Sequence, residues 1–294
     1  MMETLTVKEA LTACGGMTVV YVAVLYSPTL IFRRPPPTSF YQFMIRRFIC
    51  AFVATLLCLF LSSLLLLPTG SWKFTHILAA YGVRSNHFWH AVVCAFSLTC
   101  LMYAGSFVLK LLDLWNEGES PYFSLESIKS FASNIAAWRN LVVAPITEEL
   151  VFRACMIPLL LCGGFKPETT VFLCPLFFSL AHLNHLLEFY SRKNCSVLKT
   201  SMAVGTQLAY TMVFGSYASF LFIRTGHLAA PLVAHIVCNF MGLPVIYSKR
   251  GLVVSVASIA GAIAFFCLLT PLTVPALYNI KIDDDCSCWQ GYCN

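Results

Sequence analysis

Charged residues are scarce in this sequence. Asp, Glu, Lys and Arg make up 11% of its 294 residues, whereas 59% of the residues are hydrophobic. A soluble domain carries about 25% charged residues, so this composition excludes an ordinary soluble protein. Apolar runs near the roughly 20 residues needed to span a bilayer recur along the whole chain. We therefore expect an all-α, polytopic membrane protein whose single membrane-embedded domain, 1–294, takes up nearly the whole chain.

Several signatures of other protein classes are also missing. The net charge of +6 comes from 19 Lys and Arg residues scattered in short loops, so we interpret them as topology signals and expect no nucleic-acid partner. The segment from Met1 to Ala10 lacks the basic cluster of a secretory signal, and the apolar segment after it is long enough to stay as a span. No internal repeat, heptad run or low-complexity segment is visible.

Eight membrane spans are predicted from the apolar runs. They lie at about 11–32, 48–67, 88–112, 139–162, 169–190, 201–223, 227–246 and 252–273. The short loop between the first two spans contains Arg33, Arg34, Arg46 and Arg47. The positive-inside rule places this loop in the cytoplasm and the N-terminus on the other side, and alternation then puts Arg139 on the cytoplasmic side. The polar segment 113–135 is expected to lie outside the bilayer.

Prolines fall inside several of the predicted spans. They are Pro145, Pro158, Pro175, Pro231 and Pro244. Each removes a backbone donor and tends to kink its helix, which frees carbonyl groups that must be satisfied inside the protein or at a wet cavity. The predicted kinks concentrate in the fourth, fifth and seventh spans, which also carry most of the polar residues.

Three ionisable residues, Glu148, Glu149 and Arg153, lie inside the fourth span, within an apolar run from Leu141 to Leu161. A charged side chain at bilayer depth costs roughly 2.5–3.5 kcal/mol, so such residues usually face a protein interior or a wet cavity. At about 100° per residue, Glu149 and Arg153 share one helix face and are expected to form a structural ion pair. Glu148 lies roughly 140° round from Arg153 and is left to meet groups on other helices.

Two other spans carry polar residues that can do chemistry. Phe178 and His182 are four residues apart in the fifth span, and His235 and Asn239 have the same spacing in the seventh. Glu148 adds a carboxylate to these two imidazoles and one carboxamide. A carboxylate beside imidazoles can act as a general base toward water, and Asn or His donors can stabilise an oxyanion. Together they are the parts of a water-activating amide hydrolase that needs no covalent intermediate.

Other chemistries stay open on the residues alone. Glu148 and the histidines could bind zinc, although the helical signature H-E-x-x-H is absent, and the same set also suits a site without metal or cofactor. Serine catalysis lacks its G-x-S-x-G elbow. Cys238 lies between His235 and Asn239, but an apolar setting disfavours the reactive thiolate. A lone intramembrane histidine such as His182 is also often only a hydrogen-bond donor between helices.

Two further groups of reactive residues are not assigned to the site. His185 is interpreted as the interfacial end of the fifth span, and a surface role is expected for His76, His87 and His90. Most of the 14 cysteines lie in apolar runs and behave as small hydrophobes. A polar cluster of Cys286, Cys288 and Cys293 is compatible with a disulfide, with lipidation or with no role.

Three motifs occur in order on separate spans: Glu148-Glu149-x-x-x-Arg153, Phe178-x-x-x-His182 and His235-x-x-x-Asn239. In this combination they resemble the motifs of the type II CaaX prenyl endopeptidases, the Ras-converting enzymes of the endoplasmic reticulum. These enzymes belong to the larger family of CaaX proteases and bacteriocin-processing enzymes. The resemblance covers about 138–244, and the stretch 224–231 also looks like the eukaryotic branch.

The resemblance implies an intramembrane hydrolase, a CAAX prenyl protease, that removes the C-terminal aaX tripeptide from prenylated proteins such as small GTPases. By this analogy Glu148 and His182 activate water, while His235 and Asn239 serve the oxyanion. The residues implied to support the site are Glu149, Arg153 and Phe178. The resemblance also implies a multi-pass protein of the endoplasmic reticulum membrane, with its site accessible from the cytosol and with no metal or cofactor.

Three alternatives are weighed against this interpretation. A non-catalytic membrane scaffold of the same family would use the polar residues only to hold its helices together. A transporter would use Glu148 and the histidines as a proton relay, but the chain lacks an evident inverted repeat. The third alternative is a zinc-dependent version of the same hydrolysis.

Overall fold

The described part of the chain is helical throughout its regular elements. A computed structural model describes residues 5–33, 35, 37–66, 74–117, 133–183, 197–245 and 252–278, and no strand occurs within these ranges. The α-helices in chain order are α1 (Val7–Leu30), α2 (Phe40–Leu66), α3 (Phe74–Ala80), α4 (Phe88–Met102), α5 (Ala104–Glu117), α6 (Ile135–Trp138), α7 (Ala144–Glu149), α8 (Met156–Cys162), α9 (Pro167–Ala181), α10 (Val197–Thr225), α11 (Ala229–Met241) and α12 (Leu252–Leu272). A short 3-10 turn, Pro275–Leu277, follows α12. The predicted all-α class is confirmed for these residues.

Two π-helical turns join α6, α7 and α8 into one continuous helix, 135–162, which we call the central helix. The turns are Arg139–Val143 and Leu150–Cys155. Five helices, α1, α2, α9, α10 and α11, pack against the central helix. Every residue from Val151 to Leu160 is buried, as expected of a helix that is enclosed on all sides. The predicted fourth span, 139–162, therefore forms the core of the fold.

The first π turn changes which residues of the central helix share a face. The N–H of Ala144 donates to the carbonyl of Arg139, five residues back. Pro145 has no N–H with which to continue the ordinary ladder of bonds to the fourth residue back, and the wider turn lies directly before it. A π turn holds one residue more than an α turn, so the residues before it are rotated by about 100° relative to an uninterrupted α-helix.

The central helix ends where the sequence predicts. Gly163 caps its last turn, and Gly164 adopts a φ of 88°, a left-handed conformation that favours glycine. Pro167 is the first residue of α9, where a missing N–H leaves no helical bond unmade. The break between the fourth and fifth predicted spans therefore follows from three local residues.

The five prolines do not all interrupt helices as predicted. Pro145 and Pro158 each follow closely after a π turn, and Pro175 lies inside α9. Pro231 lies in the first turn of α11, and Pro244 follows its end. Because neither of these positions requires a helical N–H, the predicted kinks in the seventh span are wrong.

Two predicted spans differ from the structure in their geometry. The span predicted at 88–112 consists of α4 and α5, which meet at Tyr103 with a bend of 69°. The hydroxyl of Tyr103 donates to the carbonyl of Gly242 at 2.6 Å, and α5 packs along α12. These contacts come from distant parts of the chain, so hydropathy alone could not predict the bend. α5 also continues to Glu117, into the segment predicted to be polar, and 118–132 lie outside the described residues.

The predicted fifth span, 169–190, ends earlier as a helix. α9 stops at Ala181, and the N–H groups of His182 and Leu183 bond three residues back, to Ser179 and Leu180. Residues 184–190 lie outside the described part of the chain. His182 is therefore the first residue after the helix and not a residue within it.

Large apolar side chains cover the outer faces of α2 and α12. They include Phe52, Leu56, Phe60, Leu64, Val256, Ile259, Ile263 and Phe266, all exposed. Continuous apolar surface of this kind suits a helix that faces lipid. By length and composition, Val7–Thr29, Phe40–Leu66 and Leu252–Leu272 can each cross a membrane, and the bent pair of α4 and α5 together supplies a fourth candidate. These helices fit a multi-pass membrane protein, and the count of eight spans stays a prediction.

Candidate active site

A buried ion pair lies at the centre of the fold. Nη1 of Arg153 donates to Oε1 of Glu149 at 3.0 Å, and both side chains are completely inaccessible to solvent. The guanidinium carbon of Arg153 lies 4.5 Å from the centre of the Phe178 ring, so an aromatic face covers the cation. The ion pair expected from the spacing of Glu149 and Arg153 is thus present, and Phe178 shields it.

His235 is bound to the same carboxylate. Its Nδ1 lies 2.7 Å from Oε1 of Glu149. Since an ionised carboxylate only accepts hydrogen bonds, Nδ1 carries a proton, and this contact orients the ring. Nε2 of His235 then lies 3.8 Å from Oε2 of Glu148. Glu149 therefore does more than pair with Arg153, because it also holds His235 beside Glu148.

Glu148 and His182 line one cavity. Its volume is about 100 Å³, and its wall comes from α1, α2, the central helix and the end of α9. One water needs about 10–15 Å³ of such space, so the cavity has room for several waters. The Glu148 side chain keeps 18% of its surface accessible, in contrast to the fully buried Glu149. Of the two adjacent glutamates, Glu148 is the one that solvent can reach.

The end of α9 fixes the ring of His182. Its Nδ1 lies 2.8 Å from the carbonyl oxygen of Phe178, the residue one turn earlier. A carbonyl only accepts, so Nδ1 is the protonated nitrogen and Nε2 carries a lone pair when the ring is neutral. The ring centre of His182 also lies 4.8 Å from that of Phe178, in an edge-to-face arrangement. Phe178 therefore contacts both the ion pair and the cavity histidine.

Asn239 contacts the first π turn. Its Nδ2 donates to the carbonyl oxygen of Asn140 at 2.8 Å, which ties the end of α11 to the central helix. Neither Asn239 nor His235 is among the described residues that line the cavity. The structure thus places Glu148 beside His182 at the cavity and beside His235, which lies outside the cavity lining. The Asn239 amide has two hydrogens, and the bond to Asn140 uses one of them.

The cavity also contains polar residues that the sequence analysis did not assign to it. The hydroxyl of Tyr21 lies 3.1 Å from that of Thr147, whose own hydrogen goes to the carbonyl of Val143 at 2.8 Å. Arg47 and Arg139 line the cavity as well, although the sequence indicated them only as topology signals. The charge of Arg47 and Arg139 beside predicted spans was the available sequence signal. It does not tell whether these side chains face a cavity.

The structure also describes some of the residues considered for the alternative chemistries. Cys238 is buried and contacts the hydroxyls of Tyr103 and Tyr210. Among the described residues, no group of three or more His, Cys, Asp and Glu side chains is arranged to hold a metal ion. His87 and His90 are exposed, in agreement with their expected surface role. The residues His185, Cys286, Cys288 and Cys293 lie outside the described part of the chain, as does the side chain of His76.

Comparison with known proteins relates these residues to a family. Residues 130–241 match the family model described as Type II CAAX prenyl endopeptidase Rce1-like. CAAX prenyl protease 2 of Arabidopsis thaliana is 52% identical over 305 residues, covering 99% of this chain and 97% of the relative. CAAX prenyl protease 2 of Homo sapiens is 37% identical over 221 residues, covering 72% of this chain and 66% of the relative. Probable CAAX prenyl protease 2 of Schizosaccharomyces pombe is 34% identical over 155 residues, covering 52% of this chain and 57% of the relative.

No solved structure matches the chain significantly. The family model nevertheless covers the central helix, α9, α10 and α11, and the matched range includes Glu148, His182, His235 and Asn239. Similarity to the Arabidopsis thaliana protein extends over nearly the full length of both chains. The chain therefore belongs to the Rce1-like family of type II CAAX prenyl endopeptidases.

Proposed function

We propose that this chain is a membrane-embedded endopeptidase that removes the C-terminal aaX tripeptide from prenylated CaaX proteins. One observation carries the proposal: Glu148 and His182 face a single cavity with room for water, while buried Glu149 holds His235 beside Glu148. The names of the relatives supply the substrate class, since they are CAAX prenyl proteases. Small GTPases whose CaaX cysteine is prenylated are substrates of this kind.

Glu148 and His182 activate the water in this mechanism. The carboxylate of Glu148 takes a proton from a water molecule in the cavity, and the water oxygen bonds to the scissile carbonyl carbon. Nε2 of His182 accepts the other water hydrogen, because Nδ1 is already committed to the Phe178 carbonyl. Two fixed acceptors thus orient the attacking oxygen before it reacts.

His235 and Asn239 stabilise the oxyanion that forms at the carbonyl. His235 donates from Nε2 when it is protonated, and the ionised Glu149 at its Nδ1 stabilises that imidazolium. Asn239 contributes the amide hydrogen that Asn140 does not use. When the carbon–nitrogen bond breaks, Glu148 returns its proton to the leaving amine, so the protein ends the cycle in its starting state.

The membrane setting fits the lipid on the substrate. A prenyl chain gains about 0.8 kcal/mol for each CH₂ that it buries, so it enters from the bilayer and brings the peptide to the site. Val22, Leu25, Met44 and Phe48 give the cavity an apolar side that can receive it. We place the protein in the endoplasmic reticulum membrane as a multi-pass protein in one domain, with the cavity open to the cytosol.

The decisive experiment compares the wild type with Glu148→Gln. Release of the tripeptide from a farnesylated CaaX peptide is measured with purified protein in detergent. The variant keeps the shape of the side chain but cannot take a proton, so we expect kcat to fall by about 10²- to 10⁴-fold with unchanged thermal unfolding. Glu168→Gln, at an exposed position in the first turn of α9, is the matched control and keeps full activity.

Two outcomes would contradict the proposal. Full activity in Glu148→Gln would show that Glu148 is not the general base. Absence of tripeptide release from folded wild-type protein would favour the non-catalytic scaffold, whose polar residues only hold helices together.

A further inference from the structure

Tyr21 is a cavity residue that the proposed mechanism does not use. It lies in α1 and lines the cavity, and its ring packs edge to face on Phe152 with 5.6 Å between the ring centres. Only 6% of the residue is exposed, so its neighbours hold it at the cavity wall. α1 lies outside the range 130–241 that the family model matches, and none of the three motifs contains Tyr21.

The Tyr21 hydroxyl donates its hydrogen to Thr147. The two oxygens are 3.1 Å apart, and on distance alone either could be the donor. Thr147 has a single hydroxyl hydrogen, which the carbonyl oxygen of Val143 accepts at 2.8 Å. Tyr21 is therefore the donor of this pair, and its oxygen can still accept a hydrogen bond. Within the described residues that oxygen takes part in no second hydrogen bond.

A peptide that enters the cavity needs acceptors for its N–H groups. Inside a membrane-embedded site such a group leaves bulk water, and an unpaired amide there costs free energy comparable to a lost hydrogen bond. Arg47 and Arg139 line the cavity, but a guanidinium group only donates. Among the described residues of the lining, the side chains with a nitrogen or oxygen acceptor are Tyr21, Thr147, Glu148 and His182.

Of these four side chains, Tyr21 is the one best suited to receive a substrate N–H. The proposed mechanism uses Glu148 and His182 to hold the attacking water. The Thr147 oxygen already takes part in two hydrogen bonds, one accepted from Tyr21 and one donated to Val143. The Tyr21 oxygen takes part in one, as a donor, so its accepting capacity remains for the peptide.

We propose that the Tyr21 hydroxyl accepts a hydrogen bond from a backbone N–H of the aaX segment, either that of the second aliphatic residue or that of X. The inference rests on the proposed tripeptide-releasing function. Thr147, which orients the hydroxyl, directly precedes Glu148 in the central helix, so the bound segment is held beside the general base. The N–H belongs to an amide that does not react, so the bond strengthens substrate binding and leaves the chemical step unchanged.

The first test compares Tyr21→Phe with the wild type on a farnesylated CaaX peptide. The substitution removes the hydroxyl and keeps the ring that packs on Phe152. We expect KM to rise by about 3- to 10-fold, the value of one neutral hydrogen bond, with kcat nearly unchanged. A hydroxyl that only supported the fold would instead change the amount of active protein and leave KM as it is.

Tyr217→Phe is the matched control. The Tyr217 hydroxyl lies 3.1 Å from that of Thr99, whose hydrogen goes to the carbonyl of Ala95 at 2.7 Å, so the arrangement repeats that of Tyr21 and Thr147. Tyr217 does not line the cavity. Because each variant loses one hydroxyl bond between helices, we expect similar small decreases in the unfolding midpoint, and an increase in KM for Tyr21→Phe alone.

The second test removes the partner group from the substrate. Two further farnesylated peptides carry an ester in place of one amide, either at the second aliphatic residue or at X, so each lacks one N–H. KM is measured on both peptides for the wild type and for Tyr21→Phe. We expect one of the esters to abolish the difference between the two proteins, which identifies the bonded N–H, and the other ester to preserve the difference.

Four results would overturn the inference. An unchanged KM in Tyr21→Phe would do so and would leave the proposed function intact. A difference in KM that persists on both ester peptides would show that neither N–H bonds to Tyr21. Equal increases in KM for Tyr21→Phe and Tyr217→Phe would assign the hydroxyl a structural role. Cleavage of no peptide by folded wild type would overturn the proposed function together with the inference, which distinguishes the two failures.

Discussion

Nδ1 of His235 lies 2.7 Å from Oε1 of Glu149, the same oxygen that accepts from Arg153 at 3.0 Å. One carboxylate oxygen thus connects a cation on the central helix to an imidazole on α11. The other oxygen of Glu149 is buried and has no hydrogen-bond partner in the described part of the chain. Glu149 is therefore a positioning residue, and its loss affects both Arg153 and His235.

Glu149→Ala should destabilise the protein strongly. The substitution leaves the fully buried guanidinium of Arg153 without its counter-charge, which typically costs about 3–5 kcal/mol. Thermal unfolding of the detergent-solubilised protein measures the effect, and Glu149→Gln, which keeps an acceptor for His235, should lose less. Glu168→Ala is the exposed control. An unfolding midpoint for Glu149→Ala equal to that of the wild type would contradict the structural importance of the pair.

His182→Ala should remove activity without removing the fold. The imidazole follows the last residue of α9 and contacts the Phe178 carbonyl and ring, so the helix itself does not require it. We expect a fall in kcat of about 10²- to 10⁴-fold, the usual contribution of acid–base groups. His87→Ala changes an exposed histidine at the start of α4 and should leave kcat unchanged. Comparable losses in both variants would argue against a specific role for His182.

Asn239→Ala should affect kcat far more than stability. The bond from Asn239 to the Asn140 carbonyl is exposed and contributes about 1 kcal/mol or less to folding. Loss of an oxyanion donor lowers kcat by about 10²- to 10³-fold, with KM nearly unchanged. Asn239→Asp is similar in shape but offers no N–H and should be equally inactive. If Asn239→Asp kept wild-type kcat, the oxyanion role would have to be given up.

Removal of divalent metal should leave the enzyme active. We expect wild-type protein treated with a strong zinc chelator to release tripeptide at its original rate, because the proposed mechanism uses only carboxylate, imidazole and carboxamide groups of the protein. The measurement compares rates before treatment, after treatment and after addition of zinc. Activity that disappears with the chelator and returns with zinc would instead make Glu148, His182 and His235 metal ligands.

Gly261→Ala should destabilise the contact between α12 and the bent pair of helices. A Cβ at Gly261 would collide with the backbone carbonyl of Leu101, which cannot move as a flexible side chain can. Gly16→Ala is the control, since a Cβ at Gly16 meets nothing and the better helix former should leave stability equal or raise it by about 0.5–1 kcal/mol. Equal unfolding midpoints for Gly261→Ala and Gly16→Ala would contradict the close approach of α12 to α4.

The sequence was sufficient for features that depend on nearby residues. The i,i+4 spacing predicted the pairing of Glu149 with Arg153, and the fourth span was predicted to end at 162, where Gly163, Gly164 and Pro167 end the central helix. These features are governed by helix geometry and by backbone freedom within a few residues. They do not depend on how the helices pack together.

The sequence was insufficient where partners come from distant segments. The bond between His235 and Glu149 joins residues 86 positions apart, and the sequence analysis grouped His235 with Glu148, His182 and Asn239 but not with Glu149. The bend at Tyr103 depends in the same way on Gly242 and α12. Arg139 was missed for another reason, since regular α-helical geometry turns it away from Glu148 and only the π turn brings it back.

The first π turn has a consequence for comparing and exchanging segments between relatives. It acts as a one-residue insertion in the helical repeat, so the numbering of cavity-facing positions shifts between the two sides of Pro145. Deletion of Leu141 or Val142, which do not line the cavity, would turn Arg139 by about 100° without altering any side chain near Glu148. A chimera of two such enzymes therefore has to conserve the nine-residue interval from Arg139 to Glu148 as well as these two residues themselves.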